Sequence, residues 1–148
     1  MSHINIGKQF PGAYQAMLAL DAQTEVAIRE AGLPPLLADL VKIRASQLNG
    51  CAYCLRMHTR VALEHGETAD RLAVLAAWWE SQYFTPAERA ALRIAEGVTR
   101  IAESRDLASE PDTEQALDDR QIAAVTWLAI AINGWNRVAV SSHYPVAP

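Results

Sequence analysis

Clusters of lysine and arginine are missing from the sequence, and its formal net charge at pH 7 is −4. Proteins that bind nucleic-acid backbones present a basic face, so this composition argues against a nucleic-acid partner. The apolar run from Ile122 to Ile132 is interrupted only by Thr126 and, at about eleven residues, is too short to cross a bilayer. The first ten residues lack the apolar core and small-residue cleavage site of a secretory signal. We therefore expect a cytoplasmic protein without a membrane partner.

Strand patterns are also missing, because no segment shows sustained alternation of polar and apolar residues. Helical periodicity recurs instead, which predicts an all-α fold of about six helices in a single domain spanning residues 1–148. The predicted helices run from Gly12 to Gly32, from Pro34 to Asn49, from about Cys51 to Gly66, from Thr68 to Trp79, from Thr85 to Ala102, and from Asp118 or Asp119 onward. The acidic stretch from Glu103 to Asp119 is predicted to be an exposed connector.

Only two cysteines are present, and they form the motif Cys51-x-x-Cys54 with His58 four residues later. On a helix that begins at about Cys51, these three side chains share one face with Leu55 and Ala62. The opposite face carries Tyr53, Arg56, Arg60 and Glu64. The thiols and the imidazole are therefore expected to point into a partly buried pocket, while the charged residues face solvent.

This spacing favours redox chemistry over two buried small side chains and a core histidine. A thiol with pKa near 8.5 is only about 3% thiolate at pH 7, so a reactive cysteine needs a helix N-terminus or a nearby cation. Cys54 lies in the first turn with His58 at i+4, and Cys51 can attack an oxidised Cys54 to close a disulfide.

Zinc binding is the main alternative chemistry, but a closed zinc site needs four ligands. No second ligand pair accompanies the cysteines, and His3, His65 and His143 are predicted to be surface residues. We therefore predict no metal and no organic cofactor. The four tryptophans are predicted to be core or interface residues. Together with the apolar run in the last helix, they predict a homo-oligomer.

The segment from Asp39 to His58 resembles the signature of the carboxymuconolactone decarboxylase-like superfamily, in its AhpD-like alkylhydroperoxidase branch. The segments Thr85–Glu88 and Ile132–Arg137 resemble family segments in the same order, so the likeness extends from about Leu36 to Val140. The resemblance implies an all-helical fold, thiol-dependent reduction of hydroperoxides, an external dithiol electron donor, and homo-oligomers that are trimers or hexamers.

The resemblance also implies a role for each site residue. Cys54 would be the peroxidatic thiol, Cys51 the resolving thiol, and His58 part of a proton relay that ends at Asp39, where the family usually has glutamate. The shorter Asp39 side chain could require a bridging water, or Asp39 could simply be a surface carboxylate near Lys42. The alternative functions are a disulfide reductase, a redox sensor, a zinc-stabilised helical oligomer and, more weakly, a decarboxylase.

Overall fold

The computed structural model describes residues 3–103 and 115–148, and every regular element within these ranges is helical. The elements are α1 (Ile6–Gln9), α2 (Pro11–Glu30), α3 (Pro35–Asn49), α4 (Ala52–Glu64), α5 (Ala69–Val74), a 3₁₀ helix (Leu75–Glu80), α6 (Pro86–Thr99) and α7 (Asp119–Ser141). The predicted all-α class is confirmed. The short α1 was not predicted, and the predicted helix from Thr68 to Trp79 is divided into α5 and the 3₁₀ helix. The predicted connector lies largely outside the described residues.

Side-chain caps explain where the two most strongly marked helices begin. The Thr85 hydroxyl accepts a hydrogen bond from the Glu88 amide at 3.2 Å, and the Glu88 carboxylate accepts one from the Thr85 amide at 2.8 Å. Asp118 and Gln121 form the same reciprocal pair at the start of α7. Each pair satisfies amides that the first helical turn leaves without a partner.

The turn between α3 and α4 places both cysteines. Gly50 ends α3 with a φ of 64°, a left-handed conformation that glycine adopts without steric cost. Cys51 follows in an extended conformation and α4 begins at Ala52. The two helices therefore return beside each other as a hairpin, with the cysteines at its bend.

One face of the apolar run of α7 packs in the centre of the molecule, and the opposite face lies on the outside. Its buried residues pack with α3 and α6 in one core cluster, which includes Leu37, Val41, Ile94, Ala95, Val125 and Leu128. Trp127 and Ile130 lie on the outer face of α7 and are 53% and 41% exposed. Among the described residues, no helix has the length and apolar content needed to cross a bilayer.

A buried amide network fixes α7 against the end of α3. The Asn49 side chain donates to the side-chain oxygens of Asn133 at 2.9 Å and Asn136 at 2.8 Å. Asn136, which is 1% exposed, in turn donates to the Ser46 hydroxyl at 3.0 Å. The network lies directly before Gly50, so it holds the bend of the hairpin in place.

Candidate active site

The two cysteines form a disulfide at the N-terminus of α4. Cys51 is the N-cap residue, and its sulfur accepts a hydrogen bond from the Cys54 amide at 3.3 Å. Both cysteines are buried, with 1% and 2% of their surfaces exposed. The helix start predicted at about Cys51 is therefore confirmed, and both sulfurs lie at the positive end of the helix dipole.

A cavity of about 250 Å³ opens beside the disulfide, and we refer to it as the thiol cavity. Its wall includes Cys54 and His58 from α4, Lys42 from α3, Asp21 from α2 and Trp135 from α7. Cys51 is not among the wall residues that the structure describes. A molecule in the cavity would therefore meet the sulfur of Cys54.

Aromatic rings form much of the remaining wall. Tyr14 meets Trp135 edge to face with ring centres 5.4 Å apart, and Tyr53 meets Tyr144 in the same way at 5.1 Å. This places Tyr53 in the cavity wall, although helix periodicity assigned it to the solvent face. The reason is that the segment after α7 covers this side of α4, which a single-helix pattern does not reveal.

Arg56 holds that covering segment, because its guanidinium donates to the carbonyl of Ala147 at 2.7 Å. Arg56 is therefore half-buried rather than fully solvated, whereas Arg60 and Glu64 are exposed as predicted.

His58 carries no charge at neutral pH in this disulfide state. Its pKa is lowered to about 4, mainly by burial and secondarily by the positive charge of Lys42, while Glu25 has a smaller opposing effect. The structure thus brings Cys54 and His58 to one cavity as predicted. In the oxidised protein, however, the imidazole is a neutral proton carrier and not a cation.

Asp39 lies elsewhere, because its carboxylate bonds His65 and not His58 among the described residues. The distance from the Asp39 carboxylate to His65 Nδ1 is 2.6 Å. Asp39 is 2% exposed, and burial raises the pKa of its carboxyl group even though the contact with His65 opposes this. In the hairpin, Lys42 on α3 and His58 on α4 are the same number of residues from Gly50. Asp39 lies further from the bend than Lys42, so its carboxylate reaches the C-terminal end of α4, where His65 lies.

Lys42, Trp135 and Asp21 are among the wall residues that the sequence did not reveal. Lys42 and His58 lie eight residues before and after Gly50, which separates two predicted helices, and this equal distance was a usable signal. Trp135 was predicted to be core or interface bulk, yet it lines the thiol cavity and its indole N–H donates to Asp21 at 3.2 Å. Asp21 and Trp135 come from distant helices, and no local pattern connects them.

The remaining histidines fit the prediction that they are surface residues. His65 and His143 are exposed, and the rings of His3 and His143 stack with centres 3.7 Å apart. Among residues 3–103 and 115–148, no group of three or more histidine, cysteine or acidic side chains is arranged to hold a metal ion.

The described part of the chain is all-helical, and its C-x-x-C disulfide lies at a helix N-terminus beside a cavity that also contains a histidine. These features are those of a thiol-containing helical protein. Within this class, the sequence model of the carboxymuconolactone decarboxylase family matches residues 11–97. The chain belongs to this family, and the resemblance seen in the sequence is confirmed.

The chain is similar to a curated bacterial protein and to a protein of solved structure. The uncharacterized protein YdfG of Bacillus subtilis is 38% identical over 108 residues, which is 70% of this chain and 71% of YdfG. The crystal structure of protein ATU0492 from Agrobacterium tumefaciens superposes with a TM-score of 0.84 at 34% identity and covers 99% of this chain and 100% of that one. ATU0492 is described as a protein of unknown function and a candidate antioxidant defence protein, AhpD.

Proposed function

We propose that this protein is an antioxidant enzyme that reduces organic hydroperoxides through the Cys51–Cys54 dithiol and disulfide. The observation that carries the proposal is the disulfide at the start of α4, whose Cys54 sulfur shares one cavity with His58. A cysteine that lines a small, partly apolar cavity suits a small organic substrate. The description of ATU0492 as a candidate antioxidant defence protein supports the same role.

The first half of the cycle is oxidation of Cys54. The thiolate attacks the outer oxygen of the hydroperoxide, so an S–O bond forms, the O–O bond breaks, and the alcohol leaves once its oxygen gains a proton. Cys54 becomes a sulfenic acid. His58 lies in the same wall and can carry the proton that the thiol loses to the departing oxygen.

The second half of the cycle closes the disulfide that the structure contains. The Cys51 thiol attacks the sulfur of the Cys54 sulfenic acid, and water leaves. The two thiols have then supplied the two electrons that reduced the O–O bond. An external dithiol donor returns both cysteines to the reduced state by thiol–disulfide exchange.

The decisive experiment is a thiol titration of the reduced protein before and after one equivalent of cumene hydroperoxide, with metal analysis of the same sample. We expect both thiols to disappear and one equivalent of alcohol to form. Cys54→Ser should be inert, whereas Cys51→Ser should complete one turnover and stop with a sulfenic acid on Cys54, as identified by mass spectrometry.

Unchanged thiols after peroxide treatment would rule the proposal out. Disulfide exchange without peroxide reduction would instead support a disulfide reductase or a redox sensor. Stoichiometric zinc bound to the reduced protein would support the zinc-stabilised scaffold. Full multiple turnover by Cys51→Ser with a dithiol donor would show that the role assigned to Cys51 is wrong.

A further inference from the structure

If Cys54 is a reactive thiol, the thiol cavity must contain a group that stabilises its thiolate. An unassisted thiol is mostly protonated at neutral pH, so the thiolate needs a helix N-terminus or a nearby positive charge. The start of α4 supplies the first. For the second, sequence reasoning suggested His58, but its imidazole is neutral in the disulfide state because it is buried and lies near a cation.

That cation is Lys42, the only positively charged side chain among the wall residues that the structure describes. Its side chain is 14% exposed and is ion-paired with Glu25, whose side chain is 45% exposed. Lys42 lines the thiol cavity together with Cys54 and His58, whereas Glu25 is not among the wall residues that the structure describes. Lys42 therefore faces α4 from α3, while Glu25 lies towards solvent.

The other titratable groups near this point come from three elements. Asp21 and Tyr14 on α2, His58 and Tyr53 on α4, and Tyr144 after α7 line the same wall. Asp21 is the only acid among them, and its carboxylate already accepts the indole hydrogen bond of Trp135. Of the wall residues in the described part of the chain, Lys42 alone offers a fixed positive charge to an anion at Cys54.

We propose that Lys42 is a catalytic residue of this site, whose ammonium group stabilises the thiolate of Cys54, and that Glu25 positions it. This inference rests on the proposed function for its catalytic meaning, but its physical content concerns the thiol alone. An opposite charge within about 4–6 Å lowers the pKa of an acid by about 1–3 units. Removing the ammonium group should therefore return the Cys54 thiol towards its ordinary pKa.

The test uses the reduced Cys51→Ser protein, in which Cys54 is the only thiol and serine can keep the N-cap hydrogen bond. The pKa of Cys54 is read from thiolate absorbance and from the pH dependence of alkylation by iodoacetamide. The variants are Lys42→Met and Lys42→Gln, which remove the charge, and Lys42→Arg, which keeps it. The chain has two lysines, so Lys8→Met on the exposed α1 is a matched control.

We expect both neutral variants to raise the pKa of the Cys54 thiol by about one unit or more and to slow alkylation at pH 7 by about tenfold. Lys42→Arg should stay close to the parent, and Lys8→Met should equal it. Circular dichroism checks the fold of each variant. If one neutral variant does not fold, the other alone is sufficient to test the inference.

An unchanged thiol pKa in a folded neutral variant would overturn the inference. A Lys42→Arg protein whose thiol pKa is raised as much as in the neutral variants would also overturn it, because Lys42 would then act through the shape of its side chain and not through its charge. These readouts do not use peroxide. If the wild type fails to reduce peroxides while the thiol pKa still depends on Lys42, the proposed function fails and the thiolate assignment stands.

Discussion

His58 gives the folded protein a specific weakness in acid. Its pKa is about 4 in the folded state, against about 6.5 when it is exposed in the unfolded chain. As the pH falls below 6.5, the unfolded chain binds a proton that the folded protein does not, so stability is lost until the pH reaches about 4.

We expect His58 to account for at most about 3 kcal/mol of this loss. The measurement is urea unfolding of the disulfide form between pH 7 and pH 4.5, for wild type and His58→Gln. The difference in unfolding free energy between the two proteins should change by this amount across the range. A difference that does not vary with pH would show that the His58 imidazole is not held neutral.

Asp39 and His65 should behave as a pair in mutagenesis. Because the carboxylate bonds His65 and not His58, we expect Asp39→Asn and His65→Gln to slow peroxide oxidation equally and by less than about tenfold. His58→Gln should slow it by on the order of a hundredfold. The measurement is the second-order rate constant for oxidation of the reduced proteins. If Asp39→Asn matched His58→Gln while His65→Gln were normal, the relay predicted from the family resemblance would be correct.

The sequence alone predicted the residues that one helix brings together. Cys51, Cys54 and His58 needed only helix periodicity and a start signal at Gly50. Lys42 needed the further step of matching positions on the two helices that flank Gly50. Trp135 needed knowledge of which helices pack on α4, and that depends on the whole core. The partner of Asp39 was missed for the same reason, since the reach of a carboxylate across a hairpin depends on how the two helices align.

At the scale of the elements, the polar network at the bend of the α3–α4 hairpin is the most sensitive point. Asn136 is fully buried and both accepts and donates a hydrogen bond, so Asn136→Ala leaves Asn49 and Ser46 with unmet bonds. We expect the free energy of unfolding to fall by about 2 kcal/mol or more.

Asn5→Ala is the matched control, because Asn5 caps the exposed four-residue α1 and should cost less than about 1 kcal/mol. Thermal and urea unfolding of both variants provide the comparison. Equal losses of unfolding free energy in the two variants would show that the network does not stabilise the bend.

Helix boundaries were largely predictable, because proline, glycine and capping residues act locally. The ends marked by Gly50, Thr85 and Asp118 lie where the sequence indicated them. The break between α5 and the 3₁₀ helix was not predictable in this way. Ala77 has non-helical backbone angles within that 3₁₀ helix, and neither proline nor glycine marks the place.

At the scale of the whole molecule, we propose that the protein is a homo-oligomer that uses the outer face of α7. Trp127 and Ile130 lie one turn apart on that face and are 53% and 41% exposed, although most other residues of the apolar run are buried or half-buried. Burying such a patch against a second copy removes apolar surface from water. The family resemblance implies trimers or hexamers.

Light scattering should therefore give a mass several times the 16.2 kDa of one chain, and Trp127→Glu should reduce it. Trp79→Glu serves as the matched control, because Trp79 is 52% exposed but lies in the 3₁₀ helix away from α7. A wild-type mass of one chain at micromolar concentration would count decisively against assembly. A loss of assembly only in Trp79→Glu would place the interface elsewhere.

Trp135 stands in the same wall as the Cys54 sulfur, and this gives the molecule an optical signal. A disulfide accepts an electron from an excited indole at close range and quenches its emission, whereas a pair of thiols does so far less. Trp78, Trp79 and Trp127 are not part of this wall and contribute a steady background. Reduction of the disulfide should therefore increase the fluorescence of Trp135, and Trp135→Phe should abolish the change. Intrinsic fluorescence would then follow the conversion between disulfide and dithiol in real time without a label.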